Sequence, residues 1–180
     1  FFGSYLWQEN VGLYQLVFPV YALGISFSCA GTELALSRCV AQENAAGHPE
    51  KAKELLKTGL IFTFVLSCIL TIFLQHNAHL TAISFLHDSR CEELLILLSY
   101  TFPFASIHSC ICGYSLGLKQ TKIPAVSQLF EQTFRILFVF LFCYYRTSHQ
   151  LDLSISFAVV GLAMGEIFAS CYCLYSIHHT

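Results

Sequence analysis

From Asn10 to Thr32 the chain carries no Asp, Glu, Lys or Arg, and a second such stretch runs from Thr58 to His87. A third extends from Leu94 to Leu118. Each can supply the roughly 20 apolar residues that a helix needs to cross a hydrocarbon core. Strands of a membrane barrel are shorter, about 9–11 residues, and alternate strictly, which these runs do not. Two further apolar stretches follow, one interrupted by Glu131 and Arg135 and the other by Glu166. The pattern predicts an all-α membrane protein with about five transmembrane helices, near residues 11–31, 58–76, 94–117, 124–145 and 154–177.

Composition excludes the alternatives. Of the 180 residues, 56% are hydrophobic and 11% charged, against about 25% charged in an ordinary soluble domain. That much apolar surface exceeds what one small core can bury, so a soluble enzyme and a disordered chain are both disfavoured. A net charge of −2 offers no basic footprint for nucleic acid. The opening residues lack the charged region and small-residue cleavage site of a signal peptide. The chain begins at Phe1 and its one methionine is Met164, so it is expected to be part of something longer.

Proline and charge placement predict the connections. Pro19 and Pro103 lie inside spans, where they kink a helix and need neighbouring helices to satisfy the freed carbonyls. Pro49 and Pro124 sit where helices should begin. Gly47-His48-Pro49 predicts a break, followed by an amphipathic helix, PEKAKELLK, running into the second span. Six of the nine Lys and Arg residues fall in two connections, Thr32–Lys57 and Leu118–Ile123. Arg90 and Arg146 lie on the opposite side, and Arg135 within a span. The Lys-rich connections are therefore expected on the cytoplasmic side, with the chain beginning outside and ending inside. Trp7, Tyr14, Tyr144 and Tyr145 fit an aromatic belt at the interfaces.

The nine cysteines do not read as a disulfide framework. Most lie in apolar runs, where Cys behaves as a small hydrophobe. Cys110 and Cys112, like Cys171 and Cys173, are two apart and point in different directions on a helix. No ligand spacing typical of zinc appears, and the histidines are scattered, with His76, His79 and His87 in the connection after the second span. Neither a metal nor a cofactor is expected from spacing, and no catalytic constellation is visible.

Ionisable groups inside a bilayer cost several kcal/mol, so those that occur are candidates for function. The fourth span opens SQLFEQTFR, placing Gln128, Glu131, Gln132 and Arg135 on one helical face. This stripe should face the bundle interior or an aqueous cavity. Glu131 and Arg135 can pair. The pair either holds helices together or lines a path for a polar or anionic substrate, for which a guanidinium is the better ligand. Glu166 follows Gly161-x-x-x-Gly165, a spacing that admits a close helix neighbour. It is either a buried, hydrogen-bonded acid or a site for a proton or coupling cation. Gly113 and Gly117 read as packing, while Gln15, Glu33 and Arg38 are weaker candidates.

Three runs carry a family resemblance: GLYQLVFPVYALGISFSCAGTELALSRCVAQ, GYSLGLKQTKIPAVSQLFEQTFRILFVF and AVVGLAMGEIFAS. They resemble the stage V sporulation protein B-like branch of polysaccharide biosynthesis flippases, within the multidrug/oligosaccharidyl-lipid/polysaccharide exporter superfamily. The middle motif is the most specific: a Gly-rich helix end, a basic turn, Pro, then Ser-Gln-x-x-Glu-Gln-x-x-Arg. The resemblance implies a MATE-like parent of roughly 12–14 helices in two lobes about a central cavity, with this chain supplying part of the N-terminal lobe. It also implies flipping of an undecaprenyl-pyrophosphate-linked oligosaccharide across the bacterial cytoplasmic (inner) membrane by alternating access. Membrane lipid and a possible coupling cation would be its other partners. Gln128, Glu131, Gln132, Arg135 and Glu166 stand at characteristic positions. One departure concerns the end of the first span, where relatives often have Gly-Ile-Pro and this chain has Gly31-Thr32-Glu33. A cation-coupled multidrug exporter and a non-transporting scaffold of cell-wall synthesis are the alternatives.

Overall fold

The computed structural model describes residues 2–148 and 156–178; the side chains of 2–11, 14, 30, 143, 146–148, 156–158 and 178 lie outside that description. The described chain is helical, without strands. In order come α1 (Phe2–Ile25), a π-helical turn (Ser26–Ala30), α2 (Gly31–Ala45), α3 (Pro49–His76), α4 (Ala78–Ser84), α5 (Cys91–Ser99), α6 (Phe102–Gly117), α7 (Lys122–Ser148) and α8 (Ser156–His178). Four stretches are long and apolar enough to cross a membrane: Gln15–Ala45, Pro49–His76, Lys122–Phe142 and Val159–Ile177. The bent pair α5–α6 is long and apolar enough only when taken together, and counts as a fifth if it is one span. This is an all-α, multi-pass membrane protein.

Helix α3 shows the solvent for which the fold is built. Its buried positions include Thr63, Ser67 and Thr71, whereas Ile61, Phe62, Ile69, Ile72 and Phe73 are each more than half exposed. In water that arrangement is inverted; in lipid the hydroxyls turn inward to find partners and the apolar side chains face acyl tails. Gly47, at φ +79°, ends the preceding segment, and Pro49 sits in the first turn of α3. The amphipathic PEKAKELLK is continuous with the span, as its sequence predicts.

Two predicted boundaries differ. The first span does not stop at residue 31. The helix passes through the π-turn into α2 and continues to Ala45, so most of the expected connection is helical. No proline stands at position 33 to end it. Ser28 Oγ donates to Gly24 O at 2.9 Å and Thr32 Oγ1 to Cys29 O at 2.9 Å, local hydroxyl bonds of the kind that deform a helix. The third span, expected as one helix over 94–117, is broken between Ser99 and Phe102 and bent by 43°. The fifth matches α8, although its connection, residues 149–155, lies outside the described residues.

Pro103 explains the break and α3 repairs it. Having no N–H, Pro103 cannot bond the carbonyl four residues back, which belongs to Ser99. Thr71 Oγ1 lies 3.0 Å from that carbonyl and 2.8 Å from Ser67 O, so its one proton is shared between the two acceptors. Gln75 Nε2 donates to Ser99 Oγ at 3.1 Å, and Ser67 Oγ lies 3.1 Å from Ser106 Oγ. The fully buried Phe102 stacks on Tyr21 of α1 at a 5.8 Å centroid distance, wedging the bend.

Glycines set the remaining contacts. A Cβ at Gly113 would lie 2.7 Å from Glu33 O, and one at Gly117 would lie 2.8 Å from Ser37 O, so α2 rides directly on α6. At Gly165 a Cβ would sit 2.8 Å from Glu131 O, making α7 the close neighbour of α8. Apolar clusters close the two ends. Leu13, Val17, Leu95, Leu98 and Leu162 pack near one end, and Val40, Leu56 and Tyr114 near the Lys-rich end. Ile177 of α8 shares a cavity with Lys53 and Lys57, so the last span returns to that end.

Thr71→Val should destabilise the protein by about 1–3 kcal/mol, because it strands the Ser99 carbonyl inside the bundle. The loss should shrink in a Pro103→Ala background, where residue 103 regains a donor. Thermal unfolding of the four proteins in detergent checks this. Gly113→Ala should likewise cost about 1–3 kcal/mol by overpacking, while Gly31→Ala, with open space around its Cβ, should cost little.

Candidate functional site

Four helical segments bring polar groups to one place. Helix α6 contributes His108, Ser109 and Cys112; because His108 and Cys112 are four apart, they share a face. Helix α8 contributes Glu166, and α7 contributes Ser127, Gln128 and Glu131. The π-turn and α2 contribute Cys29 and Glu33. These helices enclose a cavity of about 280 Å³ lined by Glu33, His108, Cys112, Gln128, Glu131 and Glu166 among others.

The carboxylates are held individually. Ser109 Oγ donates to Glu33 Oε2 at 2.8 Å across the α2–α6 contact that Gly113 permits. Glu166 is buried, with Oε2 3.4 Å from His108 Nδ1. The other imidazole nitrogen, Nε2, lies 3.0 Å from Ser127 Oγ. Ser127 donates its own hydroxyl proton to Pro124 O at 2.9 Å, so its oxygen accepts from His108 Nε2–H. That leaves Nδ1 facing Glu166. One proton then suits this pair in either form: a carboxylic acid donating to neutral imidazole, or a carboxylate accepting from imidazolium. The acceptor atoms of His108, Glu131 and Glu166 all lie within 4.8 Å of one another, close enough to hold a cation or share a proton.

Arg135 pairs with Glu131 one turn away, through Nη2 and Oε1. Its side chain is 28% exposed and that of Glu131 13%. Arg135 Nη1 also donates to Gln132 Oε1 at 3.4 Å, while the buried Nε has no hydrogen-bond partner among the described residues. Phe134 stacks on Phe168 at 4.2 Å, fixing α7 against α8 beside the ion pair.

Of the residues singled out from sequence, Gln128, Glu131 and Glu166 line the cavity together. Arg135 is tethered to it through Glu131. Gln132 is exposed and outside the lining, because α7 packs mainly on α8 and leaves that face outward. Sequence reasoning passed over His108 and ranked Glu33 low. The available signal for His108 was a lone imidazole in the middle of a charge-free span. For Glu33 the signal was hidden by the π-turn, which re-phases the helix beyond it toward α6. Sequence spacing shows no metal ligand set, yet the fold also brings His108, Cys112 and Cys173 within 4.8 Å of one another. The described cysteines, eight of the nine, are free.

Residues 2–179 match the family model described as polysaccharide biosynthesis protein. Stage V sporulation protein B of Bacillus subtilis (strain 168) is 30% identical over 165 residues, covering 92% of this chain and 31% of the relative. The chain thus spans about a third of that relative's length. No solved structure matches it.

Glu131→Gln should leave the Arg135 charge uncompensated in a low-dielectric setting. Removing one partner of a buried pair typically costs about 3–5 kcal/mol; partial exposure of Arg135 should reduce this to about 1–3. Converting both residues to Gln should recover most of the loss. A double-mutant cycle by thermal unfolding of the intact protein measures it.

Proposed function

The chain belongs to the polysaccharide biosynthesis protein family, and on that premise we propose that the intact protein moves a lipid-linked saccharide across the cytoplasmic membrane of a bacterium. In this reading the bundle forms part of one lobe of a two-lobed transporter that works by alternating access. The observation that carries it is the polar cavity itself. Glu33, Glu131, Glu166 and His108 converge inside helices whose outer surfaces are apolar. Ionisable groups within apolar helices of this kind mark ion and substrate pathways. The similarity to stage V sporulation protein B supports the same class.

The cavity is richer in acid than in base, which assigns roles within the proposal. The Glu166–His108 pair holds a mobile proton or accepts a coupling cation, and Glu131 couples that charge to Arg135 on the adjacent turn. Arg135 is the group suited to a pyrophosphate-linked saccharide, because guanidinium binds phosphate bidentately. Arg135 is paired to Glu131; when the anion takes Arg135, Glu131 is released to bind a proton or cation. That exchange links the two cargoes without requiring them to touch. The same acids favour a second reading, a cation-coupled exporter of cationic drugs, since acids with few cations suit a cationic cargo.

Intact protein reconstituted in liposomes should move a labelled polyprenyl-pyrophosphate saccharide. Failure to do so, with export of a cationic dye instead, would favour the second reading. Arg135→Ala should reduce saccharide movement at least tenfold at equal expression, and Arg38→Ala, exposed at the Lys-rich end, less than twofold. Equal activity of the two variants would remove Arg135 from the path.

A further inference from the structure

We propose that His108, Cys112 and Cys173 form a binding site for a thiophilic divalent cation, with zinc the metal that fits best. The site lies on the side of His108 opposite Glu166 and does not depend on the transport reading.

The geometry comes from two helices. His108 and Cys112 are one turn apart on α6, the spacing by which a single helix presents two ligands to one ion. Cys173 faces them from α8. One donor atom from each of the three lies within 4.8 Å of the others. Zinc, with bonds of about 2.3 Å to sulfur and 2.0 Å to nitrogen, draws its ligands to roughly 3.3–3.8 Å apart. Side-chain movements that shorten each separation by at most about 1–1.5 Å close the difference. Cys173 is fully buried and Cys112 nearly so, at 7% exposure.

The surroundings favour the same ion. Ser127 Oγ lies 3.0 Å from His108 Nε2 and 3.6 Å from Cys112 Sγ, so Nε2 is the imidazole edge turned toward the thiols. The far nitrogen, Nδ1, faces the Glu166 carboxylate at 3.4 Å. A carboxylate behind a ligating imidazole fixes its tautomer and raises its basicity, the usual outer arrangement of zinc-bound histidine. Two thiolates, a neutral imidazole and a divalent cation sum to zero charge. A monovalent ion in the same ligand set would leave a net negative charge in a low-dielectric bundle, at considerable cost. The ligand set leaves a fourth position, which Ser127 Oγ or a water can take. The cavity lined by His108 and Cys112 provides the route of entry.

Binding would tie α6 to α8 where neither glycine contact of α6 reaches, since Gly113 and Gly117 both face α2. A metal here would therefore hold the central helix against the last span and orient His108 toward Glu166. It would also replace the hydrogen bond from His108 Nε2–H to Ser127, leaving the imidazole proton on Nδ1 toward Glu166, and would release the two thiol protons.

The test is cobalt titration of the intact protein in detergent, after chelator treatment and with thiols reduced. Co²⁺ should produce a sulfur-to-cobalt charge-transfer band at one equivalent per chain, and Zn²⁺ should abolish it. Cys112→Ser and Cys173→Ser should each remove the band, while Glu166→Gln should weaken binding about 10–100-fold. Thiol counting on the same samples keeps the result interpretable. A wild-type protein with both thiols free and no band overturns the site, as does a Cys112–Cys173 disulfide that forms under non-reducing purification and leaves no cobalt binding after reduction. A band that survives loss of both cysteines also overturns it. The wild-type titration decides the matter even if a variant fails to fold.

Discussion

Hydrocarbon offers no hydrogen bonds, and each polar group placed inside these helices has to be answered by another part of the chain. The broken third span shows how far this requirement reaches. Pro103 deprives the Ser99 carbonyl of its donor, and Thr71, on a different helix, supplies one. The same helix offers Gln75 and Ser67 to neighbouring hydroxyls. The polar stripe of α3 is therefore a matched surface for a kinked partner. Without it the bend would expose a bare carbonyl, and α6 would not reach the centre of the bundle at its present angle.

That angle matters because α6 is the axis around which the cavity forms. Gly113 and Gly117 let α2 lie against one of its faces, while α8 packs on another. Close approach at Gly165 draws α7 onto α8 and carries Glu131 toward Glu166. Small residues here do more than fill space. They bring backbones near enough that short side chains from four segments meet. A bundle spaced by leucines would leave Glu33, His108, Glu131 and Glu166 too far apart to share a proton or an ion.

The resulting charge arrangement is asymmetric. Three carboxylates and an imidazole converge, and the nearby guanidinium is engaged by one of those carboxylates. A buried pair of this kind is poor evidence of stabilisation, since desolvation offsets much of the attraction. Its value lies in being exchangeable: an anion and a cation can each replace one partner. His108 occupies the point where this acidic network meets the thiols of Cys112 and Cys173. Its two nitrogens face different chemistry, so a change on one edge is felt on the other.

How much of this was legible beforehand can be followed residue by residue. The spans, the break at Gly47–Pro49 and the close helix contact at Gly161–Gly165 are written in local pattern, and local pattern is what sequence displays. The stripe on α7 was visible as a period, but only packing decided that Gln128 and Glu131 would line the cavity and Gln132 would not. The continuation through residues 31–45 was masked by a π-turn held by serine and threonine hydroxyls, a device without a strong sequence signature. Cys173 stands 61 positions from Cys112, and His108 has no charged residue near it in sequence, so spacing could not unite them.

By itself, then, the sequence determined the solvent, the apolar stretches and the residues too costly to face lipid, because each follows from hydropathy and helical period along a single segment. Only the tertiary structure decided which of those residues meet. Meeting depends on where glycines allow two backbones to touch and where a kink sends a helix, and both are properties of pairs of segments.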